Sequence, residues 1–203
     1  QPKGSNYIPT PVRYENSKCG LIKIRNQDQE CFKWCMRYHQ SNKGAKEMRT
    51  TALLKVDDKS NYSNITFPVS YEDITTFEND NEVMINVFNI GEDGRSIEHW
   101  KAGNMIFVKN PINLLLLNGD EDKKHFVYIK KLSSLLCKAT CSNYTDRLFC
   151  PFCVNSIKKG ETLEEHCKAK HFSTSNNCNL ELPEIGSSMK FKNHENKLER
   201  PFI

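Results

Sequence analysis

Four residues late in the chain have the types and spacing of a metal site. Cys150-Pro-Phe-Cys153 is followed after twelve residues by His166 and after four more by His171. Two thiolates and two imidazoles are a tetrahedral zinc set, and a tight turn plus one helix face supplies that geometry at these spacings. Ile157 and Leu163 fill the two apolar positions that such a finger needs for its small core. The expected ligands are Cys150, Cys153, His166 and His171, with Zn2+ in a structural role; Cys167 and Cys178 are the alternative thiols, and Cys137 with Cys141 would make half of a second site. In a finger that reads DNA, the base-contacting positions would fall on Lys159, Thr162 and Glu165. Residues 146–203 carry nine Lys and Arg against eight Asp and Glu, so the surface offers few phosphate contacts. Nucleic-acid binding is therefore not the favoured reading of the finger.

A second constellation centres on Cys31. The apolar positions Cys31, Trp34, Cys35 and Tyr38 recur at i, i+3, i+4 and i+7, which predicts a helix with a buried face. Asp28 stands where its N-cap is expected, which puts Cys31 in the first turn. Unpaired N–H groups and the helix dipole there favour a thiolate, and the backbone of 26–28 is placed to form an oxyanion hole. Among the six histidines, two are committed to the metal and His39 lies two turns down the same helix. His99 and His194 stand in polar, irregular surroundings, which leaves His125, opening the run Phe126-Val-Tyr-Ile129. A helix-borne cysteine and a strand-borne histidine are the nucleophile and base of a papain-like peptidase. Asp122, Asp120 and Asn118 are the candidates for orienting the imidazole. A cysteine on an amphipathic helix is more often a small buried hydrophobe, and Cys35 is assigned that role.

These residues must be positioned by the rest of the chain. Leu21–Ile24 reads as a short strand, and 43–59 as a second helix with its exit loop. From Phe67 onward short apolar runs predict strands over 83–88, 105–108, 112–117 and 126–129, the last two flanking a turn at Asn118-Gly119. Residues 132–137 read as a short helix or a strand extension. Helix first and a mostly antiparallel sheet after it is an α+β order. The expected domains are a papain-like domain over 1–145, a finger over 146–175 and a tail over 176–203. Nine cysteines, an odd number that includes a Cys-x-x-Cys, point to reduced thiols and metal rather than a disulfide scaffold, hence to nucleus or cytoplasm. No apolar run reaches the 18 or more residues of a membrane span, and a net charge of +4 does not by itself imply nucleic acid.

Several stretches together carry a resemblance. They are Tyr7-Ile-Pro, Leu21-Ile-Lys-Ile-Arg-Asn26-Gln-Asp28-Gln-Glu-Cys31-Phe32-Lys-Trp34, Phe67-Pro-Val69, Ile85-Asn-Val-Phe88, His125-Phe-Val-Tyr-Ile-Lys-Lys-Leu-Ser and Lys190-Phe-Lys-Asn193. The chain resembles the region upstream of the B-type DNA polymerase in Polinton (Maverick) transposons and genes derived from them. Its Asp-x-x-Cys before a helix and its His-aromatic strand also resemble papain-fold deubiquitinases of the ovarian-tumour and herpesviral-tegument types. That resemblance implies Cys31 as nucleophile, His125 as general base and the backbone near Asp28 as oxyanion hole. It implies ubiquitin or a ubiquitin-like protein as the partner, cleaved after its C-terminal glycine. Where the tegument type has Asp-x-His, this chain has Lys123 two residues before His125 and Asp122 three before. The alternative is a catalytically inactive DNA- or protein-binding module that accompanies a transposon polymerase.

Overall fold

The computed structural model describes residues 7–41, 49–107, 111–119, 123–140 and 148–171. Five strands, β1 (Leu21–Ile22), β2 (Met84–Ile90), β3 (Ile97–Lys101), β4 (Pro111–Asn118) and β5 (Lys124–Ile129), form one sheet in the order β1-β5-β4-β2-β3. The sheet is mixed: β2 and β4 run parallel, while β1–β5, β4–β5 and β2–β3 are antiparallel. The fold class is thus α+β, and the parallel pair is where it departs from an antiparallel meander. Between β4 and β5 the connection turns where Asn118-Gly119 predicts it, with Gly119 N–H bonded to the Lys123 carbonyl at 2.8 Å.

β4 explains the sheet's position. Its run Pro-Ile-Asn-Leu-Leu-Leu-Leu-Asn has no alternation because both of its faces are covered. Ile112, Leu114 and Leu116 enter one core, with Ile85, Val87, Phe126, Tyr128 and the buried side of α1 (Cys31–Gln40). Leu115 and Leu117 enter a second core on the other face, with Tyr14, Leu21, Phe88, Val127, Ile129 and Leu135. Leu135 belongs to α4 (Leu132–Thr140), so the segment 132–137 resolves as helix.

Three expectations about elements change. The second helix, α2, spans only Thr50–Leu53 within the described part of 43–59, and the 105–108 run is a 3₁₀ turn (Met105–Phe107) rather than a strand. A helix the apolar pattern does not announce, α3 (Tyr71–Asn81), starts at a capping box in which Ser70 and Asp73 satisfy each other's backbone N–H. It buries Ile74, Phe77 and the polar Glu78. No helix among the described residues is long and apolar enough to cross a membrane.

Candidate active site and candidate metal centre

Cys31 is the first residue of α1, and its N-cap is Glu30. Asp28 does not cap the helix. Its carboxylate turns back instead, accepting the Glu30 N–H at 2.9 Å, the Asn26 amide at 2.8 Å and the Trp34 indole N–H at 2.9 and 3.0 Å. Burial pushes the Asp28 carboxyl up, but these donors outweigh it and hold the group below the usual carboxylate range. Asp28 therefore organises the loop that delivers Cys31 and is an internal anchor rather than an acid at the reacting atoms. Asn26, buried to 2% exposure, is a member of the site that sequence spacing does not single out. Its Nδ2 is held by Asp28 and its Oδ1 is buried without a partner.

α1 packs on β5. The Cys31 Sγ accepts the backbone N–H of Phe126 at 3.5 Å, so the cysteine meets β5 one residue beyond His125. Cys35, one turn later, is fully buried with its Sγ 3.5 Å from the Phe126 carbonyl, as its assignment to the core predicts. The electrostatics of Cys31 differ from the sequence expectation. Burial pushes its thiol from 9.0 up to about 11, against the lowering effect of the Phe126 N–H. Two pKa units correspond to ~3 kcal/mol, whereas a helix N-terminus contributes roughly 0.3–2 kcal/mol, so burial wins and Cys31 rests as a thiol.

His125 is 1% exposed, and both ring nitrogens lack a hydrogen-bond partner. The structure does not pair the imidazole with the Cys31 sulfur. Alternation along β5 sends Phe126 and Tyr128 to the α1 side and Val127 and Ile129 to the other, which gives His125 the parity of the second face. The ring of Tyr7 lies edge-on against it, centroids 5.8 Å apart. Asp120 and Asp122 lie outside the described residues, and Asn118, at the exposed end of β4, pairs in register with Lys124.

Burial also pulls the His125 imidazole down to about 4. Between pH 6.5 and 4 the unfolded chain takes up a proton at this residue and the folded chain does not, so stability falls as pH falls through that window. The shift of about 2.5 units sets the loss at ~3 kcal/mol. Denaturant unfolding at pH 7 and pH 4 is expected to show wild type losing that much more than His125→Leu; equal losses in the two proteins would rule it out.

The finger lies at 148–171. Its ligand atoms on Cys150, Cys153, His166 and His171 all lie within 4.8 Å of one another, so the four residues could hold a metal ion. The Cys150 Sγ to His171 Nε2 and Cys153 Sγ to His166 Nε2 separations are both 3.5 Å. Metal–sulfur bonds of about 2.3 Å and metal–nitrogen bonds of about 2.0 Å at a tetrahedral angle put S and N roughly 3.5 Å apart, which matches. His166 sits on α5 (Leu163–Lys170), and His171 is its C-cap. Ile157 is buried against Cys150 and Cys167, with Leu163 packed beside them, as the pattern predicts. Cys167 is fully buried in that small core and is not among the clustered ligands. Cys178 and Cys141 lie outside the described residues, as do His194 and the tail from 172 onward.

Contacts among the described residues join residues 148–171 to the sheet. Val154, held at a left-handed φ of 57°, packs against the second core. His99 lies in β3, not in an irregular segment; it stacks on Phe88 at 4.7 Å and its Nε2 meets the Pro151 carbonyl. On the outer side, two of the three base-reading positions are joined in a capping box. The Glu165 carboxylate takes the Thr162 N–H and hydroxyl, each at 2.8 Å, and the Thr162 hydroxyl takes the Glu165 N–H. Lys159, the third, precedes α5. Neither Thr162 nor Glu165 is presented as a free reader of base edges.

No protein-family model, curated protein or solved structure matches the chain.

Proposed function

We propose that the chain is a cysteine peptidase of papain-like architecture that acts on ubiquitin or a ubiquitin-like modifier and carries a structural zinc finger. The observation that carries this reading is the meeting of Cys31, first residue of α1, with the backbone of β5 beside His125. A thiol and an imidazole 94 positions apart in sequence stand at the start of a helix and the start of a strand, as the nucleophile and base of a thiol peptidase do. An imidazole with both nitrogens buried and unpaired supports it too, because an unpaired buried polar group calls for an explanation and a catalytic role is one.

In the proposed reaction His125 takes the Cys31 proton, and the thiolate attacks the carbonyl carbon of the modifier's terminal glycine. The S–C bond forms and the C–N bond breaks as the imidazolium returns its proton to the leaving amine. Water, deprotonated by His125, then cleaves the thioester and restores the thiol, releasing the modifier as a carboxylate. N–H groups at the start of α1 stabilise the oxyanion. The imidazole has the parity of the face opposite α1, so the proposed transfer requires the start of β5 to rearrange when substrate binds, a larger change than the tightening of a hydrogen bond. Cys150, Cys153, His166 and His171 would hold Zn2+, which fixes the finger's fold and takes no part in this chemistry.

A second reading, an inactive binding module, is favoured by one observation: Cys31 is 5% exposed and burial keeps it protonated. A ubiquitin probe with a C-terminal electrophile separates the two, read by intact mass on wild type, Cys31→Ala and His125→Ala. The peptidase reading expects one adduct on wild type, none on Cys31→Ala and a rate at least about 100-fold lower on His125→Ala. Absence of an adduct with ubiquitin and its relatives, together with a Cys31 inert to iodoacetamide, leaves the binding module.

A further inference from the structure

One identifiable piece of chain lies against His125. Residues 7–10 (Tyr-Ile-Pro-Thr) lie against Gly119, just past the end of β4, and against the loop before α1. Tyr7, itself half-buried, sets its ring edge against the His125 imidazole, and the Arg25 guanidinium lies over the Tyr7 ring at 5.3 Å. Ile8 seats against Gly119, where an added Cβ would stand 2.9 Å from the Ile8 Cδ1.

The same segment is weakly fastened. Its backbone bond to the loop, Tyr7 N–H to the Asn26 carbonyl, is long at 3.4 Å. A solvent-open pocket of about 140 Å³ is lined by Ile8 and Pro9 together with Pro11, Ile90, Leu116 and Leu117. The Thr10 hydroxyl is buried without a partner. Orphaned polar atoms thus gather under and within one short stretch: the Thr10 Oγ1, both His125 nitrogens and the Asn26 Oδ1 beside the Tyr7 bond. A segment that leaves polar groups unpaired where it sits gains by their re-solvation when it leaves.

We propose that residues 7–10 form a displaceable strap over His125, so that the imidazole becomes accessible only when an incoming polypeptide lifts Tyr7. For its consequence, gating of the base, the inference rests on the peptidase reading; the cover itself does not. An extended segment of substrate, such as the C-terminal tail of a modifier, is the chemistry that fits the vacated track between Arg25 and the β4–β5 turn.

The test uses the full chain as wild type, Tyr7→Ala and Tyr7→Phe, with diethyl pyrocarbonate as the probe and peptide mass spectrometry as the readout. Carbethoxylation of His125 is expected to be at least 10-fold faster in Tyr7→Ala and unchanged in Tyr7→Phe, which keeps the ring. His39, whose Nδ1 is bonded to the Tyr128 hydroxyl at 3.0 Å under α1, serves as the internal control and should keep its rate. An unchanged His125 rate in Tyr7→Ala overturns the proposal. So does a parallel rise at His39, because that signals general loosening. The same proteins are then given the ubiquitin probe. Faster capture by Tyr7→Ala is expected; a faster His125 reaction with no capture by any protein leaves the strap standing and removes the peptidase reading.

Discussion

Removing the metal, or one of its thiols, is expected to unfold residues 148–171 and leave the sheet standing. The finger's own core is three buried residues, Cys150, Ile157 and Cys167, with Phe152, Cys153 and Leu163 at its edge. That is too little apolar surface to offset the chain entropy of a 24-residue unit, at roughly 1–2 kcal/mol per residue for the backbone alone. In zinc-finger peptides the metal supplies an apparent ~10–16 kcal/mol at neutral pH. Cys153→Ser should therefore lower Zn2+ affinity by at least about 100-fold and erase the helical signal of α5. Cys167→Ser should keep the metal and lose only packing, because Cys167 lies outside the ligand cluster. Metal content by competition with a chromogenic chelator, and the visible absorption of the Co2+ form, give the readout. A Cys153→Ser protein that still binds one Zn2+ at wild-type affinity would show the ligand set to be wrong.

The Cys/His cluster was legible because its pattern lies in local spacing. Four candidate ligands and two apolar positions within 22 residues leave little for tertiary context to decide. α1 was legible for a similar reason: Cys31, Trp34, Cys35 and Tyr38 share one face, and all four are buried. β4 and β5 were visible as apolar runs around a turn. What was not legible depended on partners distant in sequence. α3 buries only Ile74, Phe77 and Glu78, so its apolar stripe is too thin for periodicity to register, although Ser70-x-x-Asp73 was a readable start signal. β3 is an edge strand whose one buried residue is Lys101, and no hydrophobic pattern could mark it.

The site shows the same division. Residue type and position put Cys31 and His125 on a helix start and a strand start, and both expectations hold. Their ionisation did not follow, because it is set by burial that the strap at 7–10 and the sheet faces impose. The helix dipole favours a thiolate at Cys31, but its effect is smaller than that of burial. Asp28 was chosen as a cap from its distance to the helix, yet Trp34, a turn into the helix, claims its carboxylate along with Asn26. The side-chain roles of Asn26 and Tyr7 emerge only once the loop before α1 is seen against the start of β5.

The largest effect expected away from the metal belongs to a buried ion pair that no motif announces. The Glu78 carboxylate on α3 meets the Lys101 ammonium on β3 at 2.5 Å, with the side chains 1% and 3% exposed. The other carboxylate oxygen accepts the Ile85 N–H at 2.6 Å and the Asn104 N–H at 2.9 Å. Gly103 lies close enough that a Cβ there would stand 2.5 Å from the Met84 side chain, so glycine is required where this loop returns to β2. Glu78 thus ties together α3, the start of β2, the end of β3 and the loop after it. Glu78→Leu strips the charge partner from a buried ammonium and orphans two backbone donors, which should cost about 3–5 kcal/mol. Lys101→Met should cost less, roughly 1–3 kcal/mol, because the carboxylate keeps both backbone donors. Replacing an isolated buried pair by two apolar residues is often neutral, but Glu78→Leu with Lys101→Met should remain destabilised, since the Ile85 and Asn104 N–H groups still lack an acceptor. Urea unfolding of the four proteins at pH 7, analysed as a double-mutant cycle, reads these differences. A double variant as stable as wild type would show that the backbone donors find other partners and that Glu78 serves only as counter-ion to Lys101.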